Sequence, residues 1–161
     1  MTKGARRVLL GGLALLAVCW QCSVWAVVPV LGLRLDAVLV LAVAAGWYWG
    51  PLAGAGSGLA LGALLDGVCG TGLHHGVSKT LVGLLTGWSR RTLDHLDPWV
   101  MGLLVVVSTL VDALCLAALW RLSGHTWAWE RAMSHALPLG LVHAGLWLVL
   151  QRFERPGELQ P

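Results

Sequence analysis

The stretch GPLAGAGSGLALGALLDGVCG, Gly50 to Gly70, decides the fold. Glycines stand at 50, 54, 58 and 62, Asp66 takes the next place in the row, and Gly70 resumes it. In water this would be a poor helix, because each interior glycine costs about 1 kcal/mol relative to alanine. In a bilayer there is little hydrophobic force between helices, and small residues four apart are what let two backbones approach. The solvent of the segment is therefore the first question.

Composition answers it. Of 161 residues, 57% are hydrophobic and 12% charged, with a mean hydropathy of +0.75. Soluble domains carry about 25% charged residues, so the chain reads as an all-α integral membrane protein forming a single multi-pass domain over 1–161. A net charge of +3 is too weak to argue for nucleic acid. The start, MTKGARRVLLGGLALLAVCW, has the basic head and apolar run of a secretory signal. The run continues to Val28, however, and is read as a retained first helix. Cys19 and Cys22 have redox spacing but lie within that helix and outside any βαβ context. They are read, with Cys69 and Cys115, as small apolar lining residues.

A hydrocarbon core of about 30 Å asks for about 20 apolar residues per helix. Six spans are read, at about 8–28, 35–49, 51–67, 75–90, 98–120 and 135–152, the second, third, fourth and sixth shorter than that requirement; the count is five if the second and third form a re-entrant pair. Pro51 opens the third, at a first helical position where its missing N–H does no harm. With the N-terminus inside, the inner segments hold Lys3, Arg6, Arg7, Arg90, Arg91, Arg152 and Arg155, and the outer ones hold Arg34, Lys79, Arg121 and Arg131. That bias predicts cytoplasmic N- and C-termini. Trp47, Tyr48, Trp49, Trp88 and Trp99 then anchor the inner interface.

Gly54, Gly58 and Gly62, with Gly70 in the same row, predict a packing groove on the third span. Its occupant is either another helix of this chain or a helix of another protein. Asp66 closes the groove at its outer end, and Asp36 holds a similar outer position at the head of the second span. Asp112 is deeper, about 12 Å from the outer end of the fifth span at helical rise. A carboxylate at that depth needs a partner or a proton. Lys79 is the cation nearest in the topology, with Ser78, Thr80, Ser108 and Thr109 as available hydrogen-bond donors. The expectation is a buried polar cluster of Asp66, Lys79 and Asp112, the alternative being that each is satisfied separately. His143, in the last span, is a candidate to sit opposite Asp112. The six histidines show no metal-ligand spacing. No nucleophile stands at a recognisable distance from a base, and no phosphate-cradling loop is present. The reading is of a protein that is not an enzyme and holds no metal or cofactor.

These residues carry a resemblance. RLDAVLVLAVAAGWYWGPLAGAGSG, then GLALGALLDGVCGTGLHHG, then STLVDALCL, resemble the bacterial rod shape-determining MreD family. The most specific part is Gly58 to Gly76, a glycine-spaced helix closing on Leu65-Asp66; Asp36 and Asp112 fall where that family tends to place a polar residue. The resemblance implies a six-helix bundle similar to the substrate-binding S components of energy-coupling-factor transporters. It implies a non-enzymatic scaffold in the bacterial inner membrane that supports lateral peptidoglycan synthesis and rod shape. The implied partners are a bitopic MreC-like protein, the glycosyltransferase and transpeptidase of the rod complex, and an MreB-like filament. On that expectation the glycine groove seats the MreC helix. The rival reading is a substrate-binding subunit of a vitamin transporter, its pocket built from Lys79, Asp66 and the loop SGHTWAWERAMSH, Ser123 to His135.

Overall fold

The computed structural model describes residues 16, 18–21, 35–93 and 98–154; among them there are helices and turns and no strand. Five helices follow in order: α1 (Ala37–Trp49), α2 (Pro51–Cys69), α3 (His74–Ser89), α4 (Pro98–Leu122) and α5 (Ala128–Glu154). Residues 18–21, inside the first expected span, are helical too. The remainder of that span lies outside the described residues, as do the terminal arginine and lysine positions at 3, 6, 7 and 155.

Boundaries differ most at α5, which begins at Ala128 instead of 135. Hydropathy discounts Glu130, Ser134 and His135, yet an acidic residue in the first turn suits the positive end of a helix dipole. The segment Ser123 to His135, expected to be a loop, is thus a short turn followed by helix. α2 runs on to Cys69 and α4 to Leu122.

The helices alternate in direction. One end of the bundle, here the aspartate end, holds the turns from α2 to α3 and from α4 to α5. The other, the arginine end, holds Arg90 and Arg91. Gly50 alone joins α1 to α2, with φ 92°, a conformation L side chains rarely adopt. Gly70 closes α2 in the left-handed region, φ 66°, where its N–H and that of Thr71 donate to the Asp66 carbonyl. A methyl group on Gly70 would meet nothing within 4 Å. Its glycine serves the turn, so it is not part of the packing row.

The rest of the row is a seam between α2 and α3, the most extensive contact in the bundle. A Cβ at Gly62 would lie 2.6 Å from the His75 carbonyl oxygen, and one at Gly58 2.5 Å from the Lys79 carbonyl carbon. Gly54 meets Gly83, and Gly87 of α3 meets Pro51 in return. Both helices therefore contribute glycine, and their backbones touch. The occupant of the groove is α3 of the same chain. A foreign helix has no room there, which corrects the expectation that the groove seats MreC.

α1 lies across this hairpin and is buried nearly all round, through Val38, Leu39, Val40, Ala42, Val43, Ala45 and Gly46. α4 and α5 form the second hairpin, joined to the first chiefly through α3. Leu39, Val40, Val43, Val82, Met101, Val105 and Trp147 make the apolar core. Among the described residues, two helices, Pro51–Cys69 and Trp99–Leu122, are long and apolar enough to cross a membrane. Only 28% of the α2 apolar window is buried, whereas the core helix of a soluble protein is mostly covered. Leu52, Leu59, Leu64 and Val68 all point outward.

Candidate functional site

The seam fixes the backbone of α3 at Lys79, and the Lys79 side chain turns the other way, into the bundle. It is fully buried. Its ammonium has three hydrogens and meets three carboxylate oxygens: Asp112 Oδ1 at 2.8 Å, Asp112 Oδ2 at 2.7 Å and Asp36 Oδ2 at 2.5 Å. Ser78 Oγ donates to Asp112 Oδ1 at 2.5 Å. The triad is therefore Asp36, Lys79 and Asp112.

Asp36 takes the place expected for Asp66 because α1 starts inside the bundle and not at its rim. α1 has 13 residues, about 20 Å at helical rise. Its first turn lies level with Lys79, Asp112 and His143, whereas α4 continues from Asp112 for about 15 Å to Leu122. A helix start in that position leaves its first N–H groups in need of acceptors. Asp36 is the N-cap: Oδ1 accepts from Leu39 N at 2.8 Å and from Gln21 Nε2 at 3.1 Å. Gln21 Oε1 accepts from Val38 N at 3.1 Å. The N–H of Asp36 itself donates to His143 Nε2 at 2.9 Å.

His143 faces Asp36 and Thr109; Asp112 is bound by Lys79 and Ser78 instead. Thr109 Oγ1 gives its hydrogen to the Val105 carbonyl at 2.9 Å, so at 3.1 Å it accepts from His143 Nδ1. With Nε2 accepting and Nδ1 donating, the ring is a neutral imidazole of fixed tautomer. Nearer the arginine end, the Thr86 and Ser108 hydroxyls meet at 3.3 Å.

Asp66 is buried at the aspartate end and does something different. The N-cap residue of α3 is Leu73, whose side chain has no oxygen to offer the first amides. Asp66 supplies it from α2: Oδ2 accepts from Gly76 N at 2.7 Å, and Oδ1 from His75 N at 3.1 Å and Thr71 Oγ1 at 2.6 Å. The open amides of α3 hold this carboxylate, which is why it is no partner of Lys79. Asp66 thus joins the two walls of the seam at its end, as Gly58 and Gly62 join them along its length.

The triad's polar atoms are bound to one another. One ammonium is shared between two carboxylates, which fixes the geometry of all three side chains. Among the described residues, no group of three or more His, Cys, Asp or Glu is placed to hold a metal ion. Sequence reasoning missed Gln21 and gave Asp36 the wrong depth. The signal for the cap was present, since Asp36 precedes an apolar run with Leu39 three residues on.

Compared with family models, with curated proteins and with solved structures, the chain finds no match.

Proposed function

We propose that the chain is a non-enzymatic scaffold in the bacterial inner membrane, a member of the rod complex of the MreD type, whose partner is the membrane helix of an MreC-like protein. The observation that carries the reading is a division of labour on α2. One face, Gly54, Gly58 and Gly62, is closed by α3. The other keeps small residues in the open: Gly56 and Gly67 meet nothing within 4 Å where a Cβ would stand, and Ala60 between them is exposed. In lipid such a face permits close approach of a second helix. The outward leucines of α2 to α5 suit contact with acyl chains, and the exposed Trp49, Trp88 and Trp99 gather at the arginine end, which the positive-inside bias puts in the cytoplasm.

The test is co-purification with an MreC-like partner in mild detergent. Gly56→Leu with Ala60→Leu is expected to abolish capture and rod shape while the protein still inserts. Retention of both phenotypes in that variant rejects the scaffold role of this face.

One feature supports the transporter reading. α1 is a short helix that starts inside the bundle beside charged side chains, as the broken helices of transporters do around a substrate. Here the acceptors for its amides come from Asp36, Gln21 and His143, leaving the helix start already capped. A vitamin recovered at equal stoichiometry with the purified protein would reverse the preference.

A further inference from the structure

Among the described residues, two buried side-chain nitrogens make no hydrogen bond: His75 Nδ1 and Trp147 Nε1. They lie on opposite sides of the charged cluster. His75 precedes Lys79 by four residues, so it stands one turn nearer the aspartate end on the same stripe of α3. Trp147 follows His143 by four on α5, one turn nearer the arginine end. Buried polar atoms are nearly always paired, with protein or with ordered water. The surroundings decide which account each nitrogen receives. Trp147 is 4% exposed and belongs to the apolar core with Leu39, Val40, Val43, Val82, Met101 and Val105. A buried water typically makes about three hydrogen bonds, and the other side chains of that core offer it neither oxygen nor nitrogen.

His75 is placed differently. The residue is partly exposed, beside the open turn at Gly72 and Leu73, while its Nδ1 is buried. The ring thus passes from the surface of the aspartate end into the interior. It is within electrostatic reach of Asp36, Lys79, Asp112 and Asp66. Asp66 is engaged by Thr71 and by the amides of His75 and Gly76. In the triad, Asp36 Oδ2 and Asp112 Oδ2 each accept from Lys79 alone among the described residues. A carboxylate oxygen has room for a second donor.

We propose that a water molecule bridges His75 Nδ1 to the open lone pairs of the Asp36–Lys79–Asp112 cluster, and that His75 is where this cluster meets the compartment at the aspartate end. Water donates and accepts, so it satisfies Nδ1 whichever ring nitrogen carries the hydrogen. It also brings a further donor to a place where two carboxylates share one ammonium. On the other side the apolar core closes the cluster off. Val82, the next inward residue of α3 after Lys79, is buried in it together with Met101 and Val105. Access is therefore one-sided. The site is distinct from the outward face of α2 and holds whether or not that face receives a partner helix.

The experiment is a crystal structure of the full chain grown in lipid, at a resolution that shows ordered water, for the wild type and for His75→Leu. In the wild type a water is expected within about 3.2 Å of His75 Nδ1 and of Asp36 Oδ2 or Asp112 Oδ2, with none at Trp147 Nε1. In His75→Leu, which keeps an apolar side chain of similar reach, that water is expected to be lost while Lys79 still meets both carboxylates. His75 Nδ1 bonded to a protein group or facing apolar atoms overturns the proposal. So does a water at Nδ1 that touches neither aspartate, or one that persists unchanged in His75→Leu. A water on Trp147 Nε1 overturns the one-sided access. If His75→Leu fails to fold, the wild-type map decides alone, through the distances from the water to Nδ1 and to the two Oδ2 atoms.

Discussion

Gly58 of α2 and Lys79 of α3 touch through their backbones, and the cluster depends on it: a Cβ on Gly58 would stand 2.5 Å from the Lys79 carbonyl carbon. The same contact that closes the seam sets the depth and direction from which Lys79 reaches Asp36 and Asp112. A side chain at Gly58 would therefore separate the helices and displace the ammonium.

Two glycines two residues apart should accordingly behave in opposite ways. Gly58→Leu forces overpacking, for which about 1–3 kcal/mol is ordinary, and here the obstacle is backbone, which cannot rotate aside. Gly56→Ala faces open space and should gain up to about 1 kcal/mol of helix propensity. Thermal unfolding in a fixed detergent reads both. Equal effects at 56 and 58 would mean the seam is not as close as described.

Lys79 is held by two acids, so the cost of removing it depends on what remains. Lys79→Met leaves two buried carboxylates without their cation, and breaking a buried pair from one side costs about 3–5 kcal/mol. Adding Asp36→Asn and Asp112→Asn to that variant removes the stranded charge and should restore most of the loss. The check is the melting temperature of the single and triple variants side by side. A triple variant no more stable than Lys79→Met would show that the charges themselves are not what the bundle balances.

Much of this is legible in the sequence. Four-residue glycine spacing marked a close helix contact, and Lys79 with Asp112 followed from depth along two apolar segments. What could not be read was which carboxylate completes the set. Asp36 and Asp66 both stand next to helix ends in the sequence, and both cap a helix. Only the three-dimensional staggering shows that α1 begins inside the bundle, level with Lys79, while α3 begins nearer the aspartate end, where its amides take Asp66. The glycines of α3, Gly76, Gly83 and Gly87, were equally visible as letters. Their spacing of seven and four matters only once they are known to face the row on α2.

Asp66 and Lys79 should be energetically separate, since they share no bonded partner. Asp66→Ala strips the cap from α3, worth about 1–2 kcal/mol, along with the Thr71 bond. Combined with Lys79→Met, its effect should add to within about 0.5 kcal/mol. A double-mutant cycle by denaturant or thermal unfolding measures this. A larger coupling would place Asp66 in the triad after all.

His143 provides the strictest test of how the start of α1 is held. The ring offers one acceptor, to Asp36 N, and one donor, to Thr109. His143→Phe keeps the bulk and removes both, leaving a buried backbone N–H and a buried hydroxyl oxygen each short of a partner. An unsatisfied buried group costs about 1–3 kcal/mol, and the loss should appear as faster amide exchange at Asp36, Val38 and Leu39 with little change at α4. His143→Gln retains an acceptor and a donor on a flexible stem and should recover part of the stability and most of the protection. The ordering wild type, then Gln, then Phe is the expected result, because Gln holds both bonds on a less rigid stem and Phe makes neither. If Phe protects α1 as well as histidine does, the amide of Asp36 finds its acceptor elsewhere, and the cluster ends at Lys79.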